Sequence, residues 1–545
     1  LCQPFEPSLA ALGPSPKQKP CKGQYGPIKC IKNEEVVMQN AQAGRVLGLI
    51  AGVFGGIVVL AALRGGFDFA KHETDMLHLV DLVLRLEGGA KLHEDVMTPL
   101  GLWGLLPFVV LKEAGLGLGA ALKWGQILVA GLLLLPTVWV AVSRFRTVPL
   151  ALAFGAVVLF LAAGMVYGGD DVKLSLSMHY NRWAWAVVFL PLALVILPAE
   201  RENALADGAV IGAAMAALVL IKATYFVAFA PAVVLGLLLR RQGRVIVISA
   251  AVGLGLLGLQ TLVSGFGFWQ AYLADLLAVA RSPVRPAPGQ GWAQVMLSPA
   301  YAAGTLLAVG SVLWLRGRLK DEPAGLILAV LLPGAIYVSY QNFGNDPLWL
   351  LLWGLVLFVL AQGQEKRRSL GLMGALALAF VAAPTINIAM SPLRHILQPQ
   401  AAFEPLMARH PDLRGVSVRF ERPLGTYALD AEDRVCTLAG GSVAHMRAMA
   451  ARLESAGLGG QPTYVAGLFN TLWLYGDFEP LTDGAPWYYG GLPGIENARL
   501  FVLPECSFKP EFKALVMEEI AARGIVLEPI YQDDLLAAFR VQLPK

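Results

Sequence analysis

Titratable residues of catalytic type crowd into one short stretch of this sequence. It reads His72-Glu73-Thr74-Asp75-Met76-Leu77-His78, and after Gly88-Gly89 comes His93-Glu94-Asp95. Carboxylates and imidazoles so close together suit proton transfer, because a carboxylate at an apolar boundary can take the proton of an attacking hydroxyl. The same residue types bind divalent cations, and nothing in their spacing decides between the two uses. Three other places carry isolated polar chemistry. Lys222 stands alone in VLIKATYF, where a buried cation is costly and suits an anionic ligand. The alternative is that it snorkels to lipid headgroups. In His179-Tyr180-Asn181-Arg182 the guanidinium could clamp a phosphate and the imidazole could donate or ligate, or the group could simply anchor the segment beside Trp183 and Trp185. Gln341-Asn342-Phe343-Gly344-Asn345-Asp346 offers amides for hydroxyl groups and a carboxylate to orient a cation, or it is a plain polar turn.

The elements that position these residues are read from the composition. Of 545 residues, 56% are apolar and 15% charged, with a mean hydropathy of +0.59. Soluble proteins carry about 25% charged residues, so most of this chain cannot be a water-coated core. Disorder is excluded for the same reason. The apolar runs are continuous rather than alternating, which argues against a β-barrel. The net charge of +4 gives no reason to expect nucleic acid. A polytopic helical membrane protein remains. About eleven spans are expected, at 45–63, 120–142, 148–166, 183–199, 207–222, 224–240, 244–263, 299–315, 322–340, 347–362 and 369–389.

Arginine and lysine then collect on alternate loops. Arg144 and Arg146, Arg240 to Arg244, Arg316 to Lys320, and Lys366 to Arg368 all fall on the side where Arg45 opens the first span. By the positive-inside tendency that side is cytoplasmic, and an odd span count puts the C-terminus outside. The polar groups described above fall on the outer loops. Within the first of these loops, Asp75, His78, Asp81 and Arg85 recur at helical steps and give an otherwise apolar helix over 75–87 a polar stripe. Such a helix is expected to lie in the membrane interface, and a second short apolar stretch, 102–111, follows Thr98-Pro99-Leu100-Gly101.

Both ends of the chain differ from its middle. Residues 1–37 contain lysine but no arginine, whereas arginine dominates from Met38 onward, so 1–37 is read as a leader or non-native extension. The membrane region is assigned to 38–390. From 391 to 545 the composition is that of a soluble domain. VSVRF, PTYVAGLF, ARLFVLPE and GIVLEPIY read as strands. SVAHMRAMAARLESAG and FKPEFKALVMEEIAARG read as helices, each closed by a glycine. An α/β layer is expected. Cys436 and Cys506 lie on the oxidising side on this topology, so they are either disulfide-linked or two buried thiols. Trp473, Tyr475, Trp487, Tyr488 and Tyr489 either stack on sugar faces or pack the domain.

The order of features after the first span resembles the GT-C superfamily of membrane glycosyltransferases: Asp75, the 75–87 helix, Gly88-Gly89, the His93–Asp95 segment and Thr98-Pro99-Leu100-Gly101. The resemblance covers most of the chain from about residue 45. It implies a polytopic helical fold with interfacial helices in the first outer loop and a periplasmic C-terminal α/β domain, in a bacterial inner membrane with a cytoplasmic N-terminus. It further implies transfer of a sugar from a polyprenyl-phosphate-linked donor to a glycan, lipid or protein acceptor. Asp75 would be the base, with Glu73 as the alternative because the adjacent acid pair usual in the family is missing here. Lys222 and Arg182 would bind the donor phosphate. His93, Asp95, His179, Asn342, Asn345 and Asp346 would face the acceptor or sugar, with Asp95 alternatively a helix cap. Some members use a divalent metal and others do not. Two other functions compete: a lipid or saccharide flippase, although no paired internal repeats are visible, and a non-catalytic scaffold in envelope assembly.

Overall fold

The computed structural model describes residues 27–169, 171–282, 284, 293, 297–319, 322–341, 345–362, 367–415, 427–429, 436–438 and 441–544. The expected leader 1–37 lies outside the described residues except for the helical backbone of 27–37, and so do the expected strand VSVRF and Asn342. The chain forms two compact units, Leu1–Arg45 and Val46–Lys545. The second unit contains all the remaining candidate residues.

The helices in chain order are α1 (Pro27–Ala62), α2 (Glu73–Glu87), α3 (Leu106–Glu113), α4 (Leu118–Arg144), α5 (Val148–Ala163), α6 (His179–Ile196), α7 (Ala204–Leu239), α8 (Gly243–Ser264), α9 (Gly267–Ala280), α10 (Pro299–Arg318), α11 (Ala324–Gln341), α12 (Trp349–Ala361), α13 (Arg368–Phe380), α14 (Ala382–Leu397), α15 (Ser442–Ser455) and α16 (Pro510–Ala522). Among the described residues five are long and apolar enough to cross a membrane, or six if the pair α13 and α14, bent by 57°, makes one span. The chain is thus a multi-pass membrane protein with fewer such spans than the eleven expected. The shortfall has a physical cause. The helices α5 and α12 have 16 and 13 residues, whereas a crossing takes about 20. α6 and α12 are buried almost all round, as expected of helices at the centre of a bundle.

Two of the expected spans merge into the 36-residue α7, which has one non-helical residue, Lys222 (φ −158°, ψ 99°). The contacts show that α7 doubles back there. Its first half runs against α6, since Ile221 shares a groove with Trp183 while Asp207 is held by Arg144, which also donates to Leu194 O. Its second half runs along α6 in the opposite sense. Tyr225 packs on Trp185, with ring centroids 5.0 Å apart, and Arg240 at the far end donates to Val195 O and Ile196 O. Lys222 is therefore the tip of a helical hairpin whose arms are about 25 Å long at 1.5 Å per residue.

A reversal in apolar surroundings frees backbone carbonyls that need donors. Gly101 N–H donates to Ile221 O at 3.2 Å and the Tyr272 hydroxyl to Val219 O at 2.9 Å. Any side chain at 101 would collide with Leu220, whose carbonyl oxygen lies 2.2 Å from where a Cβ would stand. Glycine at this position lets the first loop touch the hairpin tip backbone to backbone.

The C-terminal region is a small α/β layer. Strands β6 (Thr463–Val465), β7 (Leu500–Pro504), β8 (Val526–Gln532) and β9 (Leu536–Gln542) form a sheet in the order β6-β7-β9-β8, with β6 and β7 parallel. α15 and α16 supply the helices of this layer. β4 (Tyr427–Leu429) and β5 (Cys436–Leu438) pair separately, and Cys436 is disulfide-bonded to Cys506. β1 (Phe67–Phe69), from the first loop, pairs in parallel with β3 (Leu413–Gly415), and β2 (Glu404–Pro405) adds to the far edge of β3.

A buried ion cluster holds that joint. Asp68, wholly buried, lies 2.6 Å from Arg64 and 2.9 Å from Arg414. Arg64 also donates to His395 O and Gln398 O at 2.6 Å each. Removing one partner of a buried pair strands the other, at about 3–5 kcal/mol. Asp68→Ala is therefore expected to destabilise the protein by about that much in chemical unfolding. A loss below about 1 kcal/mol would show that the cluster does not hold the two regions together.

Candidate active site

One cavity of about 630 Å³ lies between the first loop and the C-terminal layer. Its membrane-side wall comes from α2, from Tyr167 and Leu176 after α5, and from the start of α6. Its opposite wall carries Trp487, Tyr488, Tyr489, Lys509, Glu511 and Phe512. The volume is that of a small-ligand site.

Asp75 and His179 line this cavity, and Asn345, Asp346 and Lys222 each approach it through a lining tyrosine. Asp75 is placed by the first turn of α2, and its Oδ2 accepts from the Ser177 hydroxyl at 2.5 Å. Glu73 points elsewhere. It accepts from the backbone N–H and the hydroxyl of Ser442, at 3.1 and 2.7 Å, and so caps the N-terminus of α15. Burial raises its pKa, partly offset by those hydrogen bonds. The two acids left open by the sequence thus occupy different places, Asp75 in the cavity and Glu73 in a joint.

α2 does not lie on the surface as an interfacial helix would. His78, Asp81 and Arg85 of its polar stripe are buried along with its apolar residues, because the C-terminal layer covers it. Asp81, wholly buried, accepts from Arg85 Nε at 2.6 Å and from Trp473 Nε1 at 2.5 Å, and Arg85 donates to Leu481 O at 2.7 Å. Burial raises the pKa of Asp81, opposed by the Arg85 charge.

Three predicted residues take their partners away from the cavity. Arg182 donates to Val166 O and Gly164 O, at 2.5 and 2.7 Å, and closes the C-terminal end of α5. It does not line the cavity. His93, in left-handed backbone (φ 72°), binds Asp275 Oδ2 through Nδ1 at 2.8 Å and stacks on Tyr272. Thr98 N–H reaches the same carboxylate oxygen at 3.0 Å, so this pair locks the loop to α9. Asp95 accepts from Lys91 N–H at 2.7 Å within its own turn, and no helix begins there for it to cap.

His179 borders the cavity, but its ring nitrogens face Leu176 O and Gly104 O, at 3.2 and 2.8 Å. Asn345 Oδ1 accepts from the Tyr167 hydroxyl at 3.4 Å, and Asp346 accepts from Gly169 N–H at 2.6 Å. Tyr167 is a lining residue held between two acids. Burial, reinforced by the charges of Asp346 and Asp75, raises its pKa, so the phenol keeps its proton. Lys222 Nζ lies 4.5 Å from the ring centroid of Tyr180, whose side chain lines the cavity. The hairpin tip thus sets a cation behind one wall. Among the described residues no three His, Cys, Asp or Glu side chains converge as a metal centre requires.

The sequence reading passed over His72 as a site residue. It precedes α2 in left-handed backbone (φ 56°), a strained geometry for a non-glycine residue. Its ring packs on Tyr167 at 5.1 Å, and its Nδ1 is 3.9 Å from Asp75. Its Nε2 is buried without a hydrogen-bond partner among the described residues. Only its place one turn ahead of Asp75 signalled it. A groove of about 430 Å³, almost wholly apolar, runs between α3, α4, α6 and the first arm of α7 and reaches Ile221, next to Lys222.

No protein-family model matches this chain, and no curated protein matches it.

Burial, helped by the Lys71 charge, lowers the His72 pKa from 6.5 to about 4. A histidine held neutral favours the unfolded state as that state takes up a proton. Stability is therefore full above pH 6.5 and falls as the pH drops from 6.5 towards 4. His72→Gln is expected to weaken this acid sensitivity, seen as a smaller drop in Tm of the detergent-solubilised protein between pH 7 and about pH 4.5. An unchanged pH profile would mean that His72 is charged, or exposed, in the folded protein.

Proposed function

We propose that this chain is a membrane glycosyltransferase of GT-C type. It moves a sugar from a polyprenyl-phosphate carrier to an acceptor hydroxyl on the periplasmic face of a bacterial inner membrane. The observation that carries this reading is a cavity with the Asp75 carboxylate on its membrane-side wall and a hairpin-tip cation, Lys222, behind Tyr180. A donor of this class has three parts, and each has a counterpart. The apolar groove ending at Ile221 suits an isoprenoid chain, Lys222 suits the phosphate, and the cavity suits the sugar.

In this reaction the acceptor oxygen attacks the anomeric carbon as its proton passes to the Asp75 carboxylate. The bond between that carbon and the phosphate oxygen breaks, and its electron pair leaves with the polyprenyl phosphate. The negative charge gathering on that oxygen is stabilised from the Lys222 side. The Ser177 hydroxyl donates to Asp75 Oδ2 at 2.5 Å, which orients the carboxylate in the cavity. His72, kept neutral beside it, adds no charge that would weaken the base. Attack from the side opposite the leaving group inverts the anomeric centre. The arginines of the end at Arg144 and Arg240 mark the cytoplasmic face on this reading, which sets the first loop and the C-terminal layer outside.

Asp75→Asn is expected to lower transfer from a total lipid extract by at least 10²-fold with the fold intact, a typical scale for loss of a general base. Glu73→Gln is expected to lower stability while keeping most activity per folded molecule. Full activity in Asp75→Asn, or a loss confined to Glu73→Gln with unchanged Tm, would overturn the assignment of the base.

A further inference from the structure

The cavity has two walls of different chemistry, and the transfer reaction proposed above uses only one of them. The other wall, supplied by the C-terminal layer, holds Trp487, Tyr488 and Tyr489 from one loop together with Lys509, Glu511 and Phe512 at the start of α16. We propose that this wall is the acceptor subsite and that its ligand is a neutral oligosaccharide. The proposal rests on the reading of the cavity as a sugar-transfer site.

Three observations support it. The Trp487 ring is fixed, edge-on to Phe469 at 4.9 Å and 86°, and lies 5.9 Å from His78, one helical turn from Asp75. A platform held this way suits the flat C–H face of a sugar, whose hydrogens carry the partial positive charge that an aromatic face attracts. It also delivers the next sugar's hydroxyl towards the base. Second, the charges on this wall cancel. Lys509 and Glu511 pair at 3.5 Å, and both are about half exposed. Such a pair offers donors and acceptors to hydroxyl groups without net charge for an anionic ligand. Third, the lining comes from a loop and a helix start rather than from an open strand edge. A peptide bound by strand addition would therefore find no ladder here. The apolar groove that would suit a lipid tail lies apart from this wall, between the membrane helices at Ile221.

The test uses the full chain in lipid nanodiscs and a panel of neutral oligosaccharides built from hexose, N-acetylhexosamine and pentose units. Binding is read by saturation-transfer NMR and titration. At least one class is expected to bind, with affinity reduced tenfold or more in Trp487→Ala. Should Trp487→Ala fail to fold, Lys509→Gln combined with Glu511→Gln is the second variant, expected to weaken binding at least threefold at unchanged Tm. If no oligosaccharide binds, if binding survives these variants in folded protein, or if only an unglycosylated peptide or a lipid binds, the proposal is overturned. The two readings separate cleanly. Loss of binding in Trp487→Ala together with full transfer by Asp75→Asn would remove the base and keep the acceptor wall. Loss of transfer in Asp75→Asn with no oligosaccharide bound would remove the acceptor wall alone.

Discussion

A helical hairpin that turns inside an apolar bundle must find donors for the carbonyls it frees. Here the turn is at Lys222, and the donors come from two distant parts of the chain, Gly101 in the first loop and Tyr272 in α9. In lipid each unpaired carbonyl costs several kcal/mol, so the reversal forms only where those parts meet it. This one constraint draws the first loop onto α7 and brings the lysine to the back of the cavity wall. Gly101 is the contact that any side chain would break. The His93–Asp275 pair, which also receives Thr98 N–H, holds the same loop to α9 three residues earlier. His93, expected to face a sugar acceptor, thus serves to hold the hairpin's supports in place.

A second joint closes the cavity from above. Asp68 and its two arginines tie β1 to β3, Glu73 caps α15, and Asp81 with Arg85 grips Trp473 and Leu481. All of these join the first loop to the C-terminal layer. Asp68, Arg64, Asp81 and Arg85 are buried, where an unpaired charge costs far more than a surface one, and Glu73 and Arg414 are half-buried, so the layer is held in a fixed position over α2. Of the acids on this helix's first turn, one is used for the joint and the other is left in the cavity.

Much of this was legible in the sequence, for identifiable reasons. Charge scarcity and long apolar runs gave a multi-pass helical protein, and the glycine-closed helices of 442–457 and 508–524 appeared close to their expected bounds. The lone lysine in VLIKATYF marked the reversal because a cation has no reason to sit in a plain span. The span count failed because hydropathy records apolarity and not depth, so helices buried within the bundle read like helices facing lipid. Arg182, His93 and Asp95 were misplaced for a related reason. Their residue types suit ligands, but freed carbonyls and turn amides use the same groups. Which partner a residue takes is decided by contacts between positions up to hundreds of residues apart, as with Glu73 and Ser442. The role of His72 depends on left-handed backbone that no local pattern announces.

The central claim is that the hairpin tip receives the donor phosphate and the groove at Ile221 receives its chain. It is tested most directly by cryo-electron microscopy of the full chain in nanodiscs containing a polyprenyl phosphate. The account predicts phosphate density within reach of Lys222 beside Tyr180, continuous with an isoprenoid chain in the apolar groove. Phosphate density on another cationic group, with that groove filled only by bilayer lipid, would contradict it.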